Sequence, residues 1–263
     1  MPKFSANLSM MFTELPFLER FRAAGEAGFR AVEFLSPYEH PADVVATQAN
    51  RAGVEVSLFN LPAGDWDAGE RGIACIPGRE EEFRMSVATA LDYAKSLETK
   101  SLHAMAGKVP PGVDPKLCRE VLEANLSYAA EAVAKHGITL LLEAINTRDI
   151  PDFVISTQAE SDEVRRRVGA PNLKLQMDLY HMQIMEGDLA HKLKRYADVC
   201  GHIQIAGCPE RNEPDMGEVR YEYLFHLIDQ IGYQGWLGCE YRPTAATVDG
   251  LGWLRTAQTT EIV

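Results

Sequence analysis

The chain has 263 residues, 46% of them hydrophobic and 24% charged, proportions ordinary for a soluble globular protein. Its formal net charge of −12 argues against nucleic acid as a partner, because that binding rests on a basic footprint. Five irregularly spaced cysteines with no CxxC pair exclude a disulfide framework or a zinc knuckle, and a reducing compartment fits them best. The N-terminus lacks a basic segment followed by an apolar run, so no signal peptide is expected. No apolar stretch approaches the ~20 residues of a membrane helix. A cytoplasmic protein is expected, and no membrane partner.

From the start of the chain, short apolar runs alternate with amphipathic segments. Strands are predicted at 4–10, 31–36, 54–60, 101–107, 139–146, 173–181, 201–207 and 236–241. Between and after them lie helical patterns such as LPFLERFRAAGEAG, ADVVATQANRAG, EEEFRMSVATALDYAKSL and PKLCREVLEANLSYAAEAVAKHG. TQAESDEVRRRVG, DLAHKLKRYADVCG, YEYLFHLIDQIG and AATVDGLGWLRT complete the set. Gly28, Gly53, Gly137 and Gly232 stand where helices should stop before the next strand. Eight such units predict a single (β/α)8 barrel domain over residues 1–263. An open doubly wound sheet is the alternative, but no strand-linked GxGxxG supports it. Two connections exceed simple turns: the glycine-rich Leu61–Arg79 after strand three, and Cys208–Val219 after strand seven. In a barrel such loops carry substrate-gripping groups and lids.

Strands five to eight each carry one oxygen-bearing side chain near their end: Glu143, Asp178, Gln204 and Glu240. A carboxylate in a run such as LLLE is costly to bury without a compensating cation or partner. Taken singly, each has an ordinary explanation. Glu143 could pair with Arg148, Glu240 with Arg242, Asp178 could cap a helix, and Gln204 could serve loop backbone. Together, at equivalent strand positions, they describe one site for a hard divalent cation at the barrel mouth, Mg²⁺ or Mn²⁺ rather than zinc.

The stretches FSANLSMMF, NLPAGDWDAGERGIACIPGREEEF, EAINTRDIP, QMDLYHMQIMEGDL, GHIQIAG and YLFHLIDQIGYQGWLGCEYRP resemble the hydroxypyruvate isomerase family, within the xylose-isomerase-like barrels. The opening PKFSANLSMMFTE and the loop QIAGCPERNEPD are equally similar to the 2-oxo-tetronate isomerase branch, which leaves the substrate within the family open. The resemblance implies interconversion of hydroxypyruvate and tartronate semialdehyde. It implies Glu143 and Glu240 as acid/base residues, and Glu143, Asp178, Gln204 and Glu240 as metal ligands. It also suggests that His181, three residues past Asp178, touches substrate, and that Arg211 in the strand-seven loop grips the substrate carboxylate. Glu70 and Arg71 in the strand-three loop are expected to belong to a lid, His103 to face the mouth, Glu70 and His103 to bind substrate, and Asn7 and Phe59 to line the pocket. The partner is then a small 2-oxo or hydroxy acid. A homo-oligomer is compatible with the sequence, which does not determine it. A ketose 3-epimerase of the same superfamily, a metal-dependent phosphodiesterase and a non-catalytic binding barrel are the other readings. The acidic charge disfavours the phosphodiesterase, and the intact glutamate pair disfavours the binding barrel.

Overall fold

The computed structural model describes residues 2–259. Eight parallel strands close into a barrel in sequence order: β1 (Lys3–Asn7), β2 (Ala31–Phe34), β3 (Glu55–Asn60), β4 (Ser101–His103), β5 (Thr139–Glu143), β6 (Leu173–Asp178), β7 (Cys200–Ile205) and β8 (Trp236–Cys239). Closure comes from β8 pairing with β1, with Phe4 opposite Leu237 and Ala6 opposite Cys239. The surrounding helices are α1 (Phe17–Glu26), α2 (Ala42–Ala52), α3 (Glu80–Leu97), α4 (Pro115–Ala134), α5 (Gln158–Val168), α6 (Leu179–Met185), α7 (Leu189–Tyr196), α8 (Tyr221–Gln230) and α9 (Gly252–Thr259). Among the described residues no helix is long and apolar enough to cross a membrane.

Local chemistry accounts for the element ends. Asp114 accepts a hydrogen bond from Lys116 N and Pro115 starts α4, while Thr157 and Glu160 form a reciprocal capping box on α5. The four glycines predicted as stops all adopt positive φ, between 65° and 99°. Apolar residues of α3 (Phe83, Val87, Ala90, Ala94, Leu97) recur at three- and four-residue spacing and are buried. Parallel strands covered by helices read as continuous apolar runs, as in the wholly buried Leu140–Glu143.

Strands β1, β4 and β5 stop short of their expected ends at 10, 107 and 146, and two further expectations shift for reasons visible in the structure. The run predicted as a strand to residue 181 ends at Asp178, because that carboxylate accepts hydrogen bonds from Tyr180 N (2.8 Å) and His181 N (3.4 Å) and so starts α6. The last helical pattern divides into a 3₁₀ turn at Thr247–Gly250 and α9.

The barrel interior is polar. Glu33 on β2 is completely buried and accepts hydrogen bonds from Asn7 Nδ2 (3.1 Å) and Gln204 Nε2 (2.8 Å), with His202 Nε2 at 2.7 Å. Gly238 is the strand residue beside it, and a Cβ there would stand 2.4 Å from both Glu33 oxygens. The glycine makes room for the carboxylate.

Candidate active site

At the C-terminal ends of the strands lies a cavity of about 310 Å³, whose wall includes Glu143, Glu240, Gln204, His103, His181 and Arg211. That size is at the small end of ligand sites, which span roughly 300–1,000 Å³. Asp178 stands immediately behind the wall, wholly buried, in contact with Arg211 and His181.

The four residues expected to act together lie at one end of the barrel but are held differently. Glu143 ends β5; its Oε1 is buried and has no hydrogen-bond partner, and its Oε2 is 3.7 Å from His103 Nε2. Asp178 uses Oδ1 to cap α6 and turns Oδ2 to Arg211 Nη2 at 3.2 Å. Glu240 follows β8, accepts from Arg211 Nη2 at 2.6 Å through Oε2, and from Asn7 Nδ2 at 3.3 Å through Oε1. Gln204 donates to Glu33 and accepts from Gln176 Nε2 at 2.6 Å, so its amide oxygen is engaged. Neither ordinary ion pair weighed for the glutamates forms. Arg148 reaches Tyr180 and the Pro209 carbonyl, and Arg211 rather than Arg242 meets Glu240.

Two buried carboxylates, Asp178 and Glu240, therefore share one guanidinium, and a third, Glu143, stands buried without a direct cationic partner. Burial first, then repulsion from Glu240 and Asp178, raises the Glu143 carboxyl well above its ordinary range. Burial likewise pushes Glu240 up to about 8 despite Arg211, and raises Asp178. Burial alone would lower Arg211, but the surrounding carboxylates, Glu240 foremost, outweigh it and raise its pKa. A divalent cation fits the residual negative charge and the orphaned Glu143 oxygen. One oxygen each of Glu143 and Asp178 and one nitrogen of His181 lie within 4.8 Å of one another, close enough to hold an ion.

The two histidines are neutral for the same reason and differ in what they offer. Burial drives His103 down to about 3 and His181 well below its ordinary value. His103 Nδ1 is 3.0 Å from Asn60 Oδ1, which places its proton there and leaves Nε2, without a partner, as an acceptor near Glu143. His181 Nδ1 is 2.6 Å from Asn146 Nδ2, which donates to it, so His181 Nε2 carries the proton toward Asp178 Oδ2, 3.5 Å away.

The other expected residues divide between the cavity wall and its surroundings. Asn7 lines the cavity; Phe59 points outward and stacks on Phe34, with ring centroids 5.9 Å apart, while its strand neighbours Leu58 and Asn60 face in. Glu70 is corrected: it is absent from the cavity wall because its carboxylate pairs with Arg79 and accepts from Asp65 N at 2.6 Å. Trp66 and Arg71 of the same loop reach the cavity instead. Arg211 borders the cavity as expected, with its Nη2 bonded to Asp178 and Glu240 and its Nε 3.3 Å from the Glu240 carbonyl. Glu33 and Gln176 were overlooked, although Glu33 shows the same signal as Glu143, a carboxylate inside an apolar run, AVEF.

An eight-stranded barrel with an acidic, histidine-bearing mouth defines a class, and comparison with known proteins agrees. The model of the xylose isomerase-like TIM barrel family matches residues 21–257. The chain belongs to that family. A 2-oxo-tetronate isomerase of Cupriavidus necator is 52% identical over 97% of this chain and 98% of its own. The hydroxypyruvate isomerase of Escherichia coli is 48% identical over the same shares, 97% and 98%. A crystal structure from Brucella melitensis, described as an AP endonuclease of family 2, superposes with a TM-score of 0.95 at 50% identity, covering 97% of this chain and 99% of that one. Within the barrel family, the chain thus falls in the group that holds the hydroxypyruvate and 2-oxo-tetronate isomerases.

Proposed function

We propose that the protein is an aldose–ketose type isomerase of short 2-oxo acids, interconverting hydroxypyruvate and 2-hydroxy-3-oxopropanoate, with 2-oxo-tetronate as the alternative substrate. The observation that carries this reading is a pair of buried glutamates, Glu143 on β5 and Glu240 after β8, facing one small cavity beside two neutral histidines.

In hydroxypyruvate the carbonyl stands beside a CH2OH group. One glutamate takes a proton from C3, leaving an enediolate. The hydroxyl proton passes from the C3 oxygen to the C2 oxygen, and the other glutamate returns a proton to C2. Such positioned acid–base groups typically contribute ~10²–10⁴-fold. His103 Nε2 is free to accept the hydroxyl proton, and His181 Nε2–H, at the cavity wall 3.5 Å from Asp178 Oδ2, can pass to donating toward an oxygen gaining charge. Bound at Glu143, Asp178, Gln204 and Glu240, a divalent cation, Mg²⁺ or Mn²⁺ by the oxygen character of the set, would act as a Lewis acid toward the two substrate oxygens. Gln204 Oε1 accepts one hydrogen bond from Gln176 and keeps a second lone pair with which it could join that set. Arg211 holds Asp178 and Glu240 in place while keeping its own charge.

A nuclease reading, suggested by the description of the Brucella relative, is disfavoured by the −12 charge and by a small, carboxylate-lined cavity where a basic groove would be needed. The reading is tested by incubating the protein with hydroxypyruvate and, separately, 2-oxo-tetronate, with and without chelator, and following products by proton NMR. Isomer formation that chelation suppresses is expected. Absence of turnover with both acids in added Mg²⁺ or Mn²⁺ would refute it.

A further inference from the structure

A short 2-oxo acid brings a carboxylate that must be held away from Glu143 and Glu240. Three arginines border the cavity: Arg71, Arg211 and Arg242. Arg211 is committed to Glu240 and Asp178, and its Nη1 faces Asp149 at 3.7 Å. Arg242 is exposed, and among the described residues its side chain has no hydrogen bond or ion pair to hold it.

Arg71 is different from both. Its guanidinium lies 3.8 Å from the centre of the Trp66 ring, and Nη1 donates to the carbonyls of Trp66 (2.9 Å) and Glu70 (2.6 Å). Among the described residues no carboxylate pairs with it, and Nε and Nη2 have no partner. One edge of the fork is thus free, beside the cavity, on a cation that is already immobilised.

The loop beneath is braced. Gly72 has φ +105°, and a Cβ there would come within 2.3 Å of the Met105 carbonyl oxygen. Gly72 N donates to Ala63 O at 2.9 Å, Cys75 N to Ala106 O at 2.9 Å, and buried Asn125 Nδ2 to Ala74 O at 2.8 Å. Glu70, paired with Arg79 and Asp65 N, closes the turn that carries Arg71. Such order costs binding little entropy, because the guanidinium is fixed before the ligand arrives.

We propose that Arg71, stacked on Trp66, is the substrate-carboxylate anchor of this site, and that Glu70 acts as a brace for its loop rather than as a substrate contact. This rests on the reading of the cavity as a 2-oxo-acid isomerase site. It assigns selection of acids over uncharged sugars to the β3 loop, and leaves Arg211 to hold the Asp178–Glu240 pair.

The test uses the full-length metal-loaded protein and its Arg71→Met, Arg71→Lys and Arg242→Met variants, with thermal unfolding as the check on folding. Steady-state KM and kcat are measured with hydroxypyruvate and 2-oxo-tetronate, and the affinity for D-glycerate, a non-reacting carboxylate, by calorimetry. Arg71→Met should raise KM and the glycerate Kd by roughly 10–100-fold, the worth of a charged hydrogen-bonded contact, and lower kcat by less. Arg71→Lys should recover part of the loss, and Arg242→Met should lie within about threefold of the parent. Unchanged glycerate affinity in folded Arg71→Met, or a loss confined to Arg242→Met, overturns the assignment while the isomerase reading stands. If the parent protein neither turns over either acid nor binds glycerate, both fall together.

Discussion

Freed of divalent ions, the protein should lose thermal stability as the pH is raised from about 5.5 to 8.5, relative to its Glu240→Gln variant. The Glu240 carboxyl is pushed up to about 8, mainly by burial, whereas in the unfolded chain it titrates near ~4.3. The folded state therefore keeps a proton that the unfolded state has released. Its contribution to stability is full below about pH 4.3 and disappears as pH climbs through about 8. At ~1.4 kcal/mol per unit, the part of the Glu240 shift lost between pH 5.5 and about 8 corresponds to at most roughly 3.4 kcal/mol. An unfolding entropy of ~2.1 cal/mol/K per residue makes that roughly 6 °C in Tm for a chain of this length. Differential scanning calorimetry in chelator across the pH range measures it, with Glu240→Gln subtracting the background from other groups. Adding Mn²⁺ at about 100 times its Kd should restore ~2.7 kcal/mol, roughly 5 °C, with a larger rise at the alkaline end, where the carboxylates are bare. Parallel Tm profiles for parent and variant, together with no shift on adding Mn²⁺ or Mg²⁺, would refute the charge-balance reasoning.

Gly238→Ala should cost ~1–3 kcal/mol and lower kcat, since the new methyl would displace the Glu33 carboxylate that holds Asn7 and Gln204; urea unfolding and steady-state kinetics report the two effects. Thr157→Ala removes the capping box of α5, outside the cavity wall, and should lower stability by ~1 kcal/mol with kcat unchanged.

The barrel was legible because its strands, buried on both sides, read as apolar runs, and glycines marked the helix stops. Leu140–Glu143 shows this most plainly: an acid at the end of three leucines announces both a strand and a site. The boundary at Asp178 was not legible, since LYHMQIM is apolar enough to continue a strand. Only the carboxylate's bonds to Tyr180 N and His181 N turn it into a helix, and that turn brings His181 inward. Partners remote in sequence were hidden for another reason. Nothing local to Glu70 says that Arg79 will hold it, or that Arg211, 29 residues before Glu240, will take up both acids. Glu33 was legible in the same way as Glu143, as a carboxylate inside the apolar run AVEF.

The role of the paired glutamates is tested most directly by following deuterium from D2O into substrate and product, with Glu143→Gln and Glu240→Gln beside the parent protein. Glutamine keeps the shape and an oxygen but cannot relay a proton. Each variant is expected to lose at least ~10²-fold in turnover. The variant lacking the abstracting base should show no exchange at C3, and the variant lacking the returning acid should still exchange there without forming product. Near-parental turnover in both variants, with metal bound normally, would contradict the two-glutamate mechanism and shift the proton to His181 or to water.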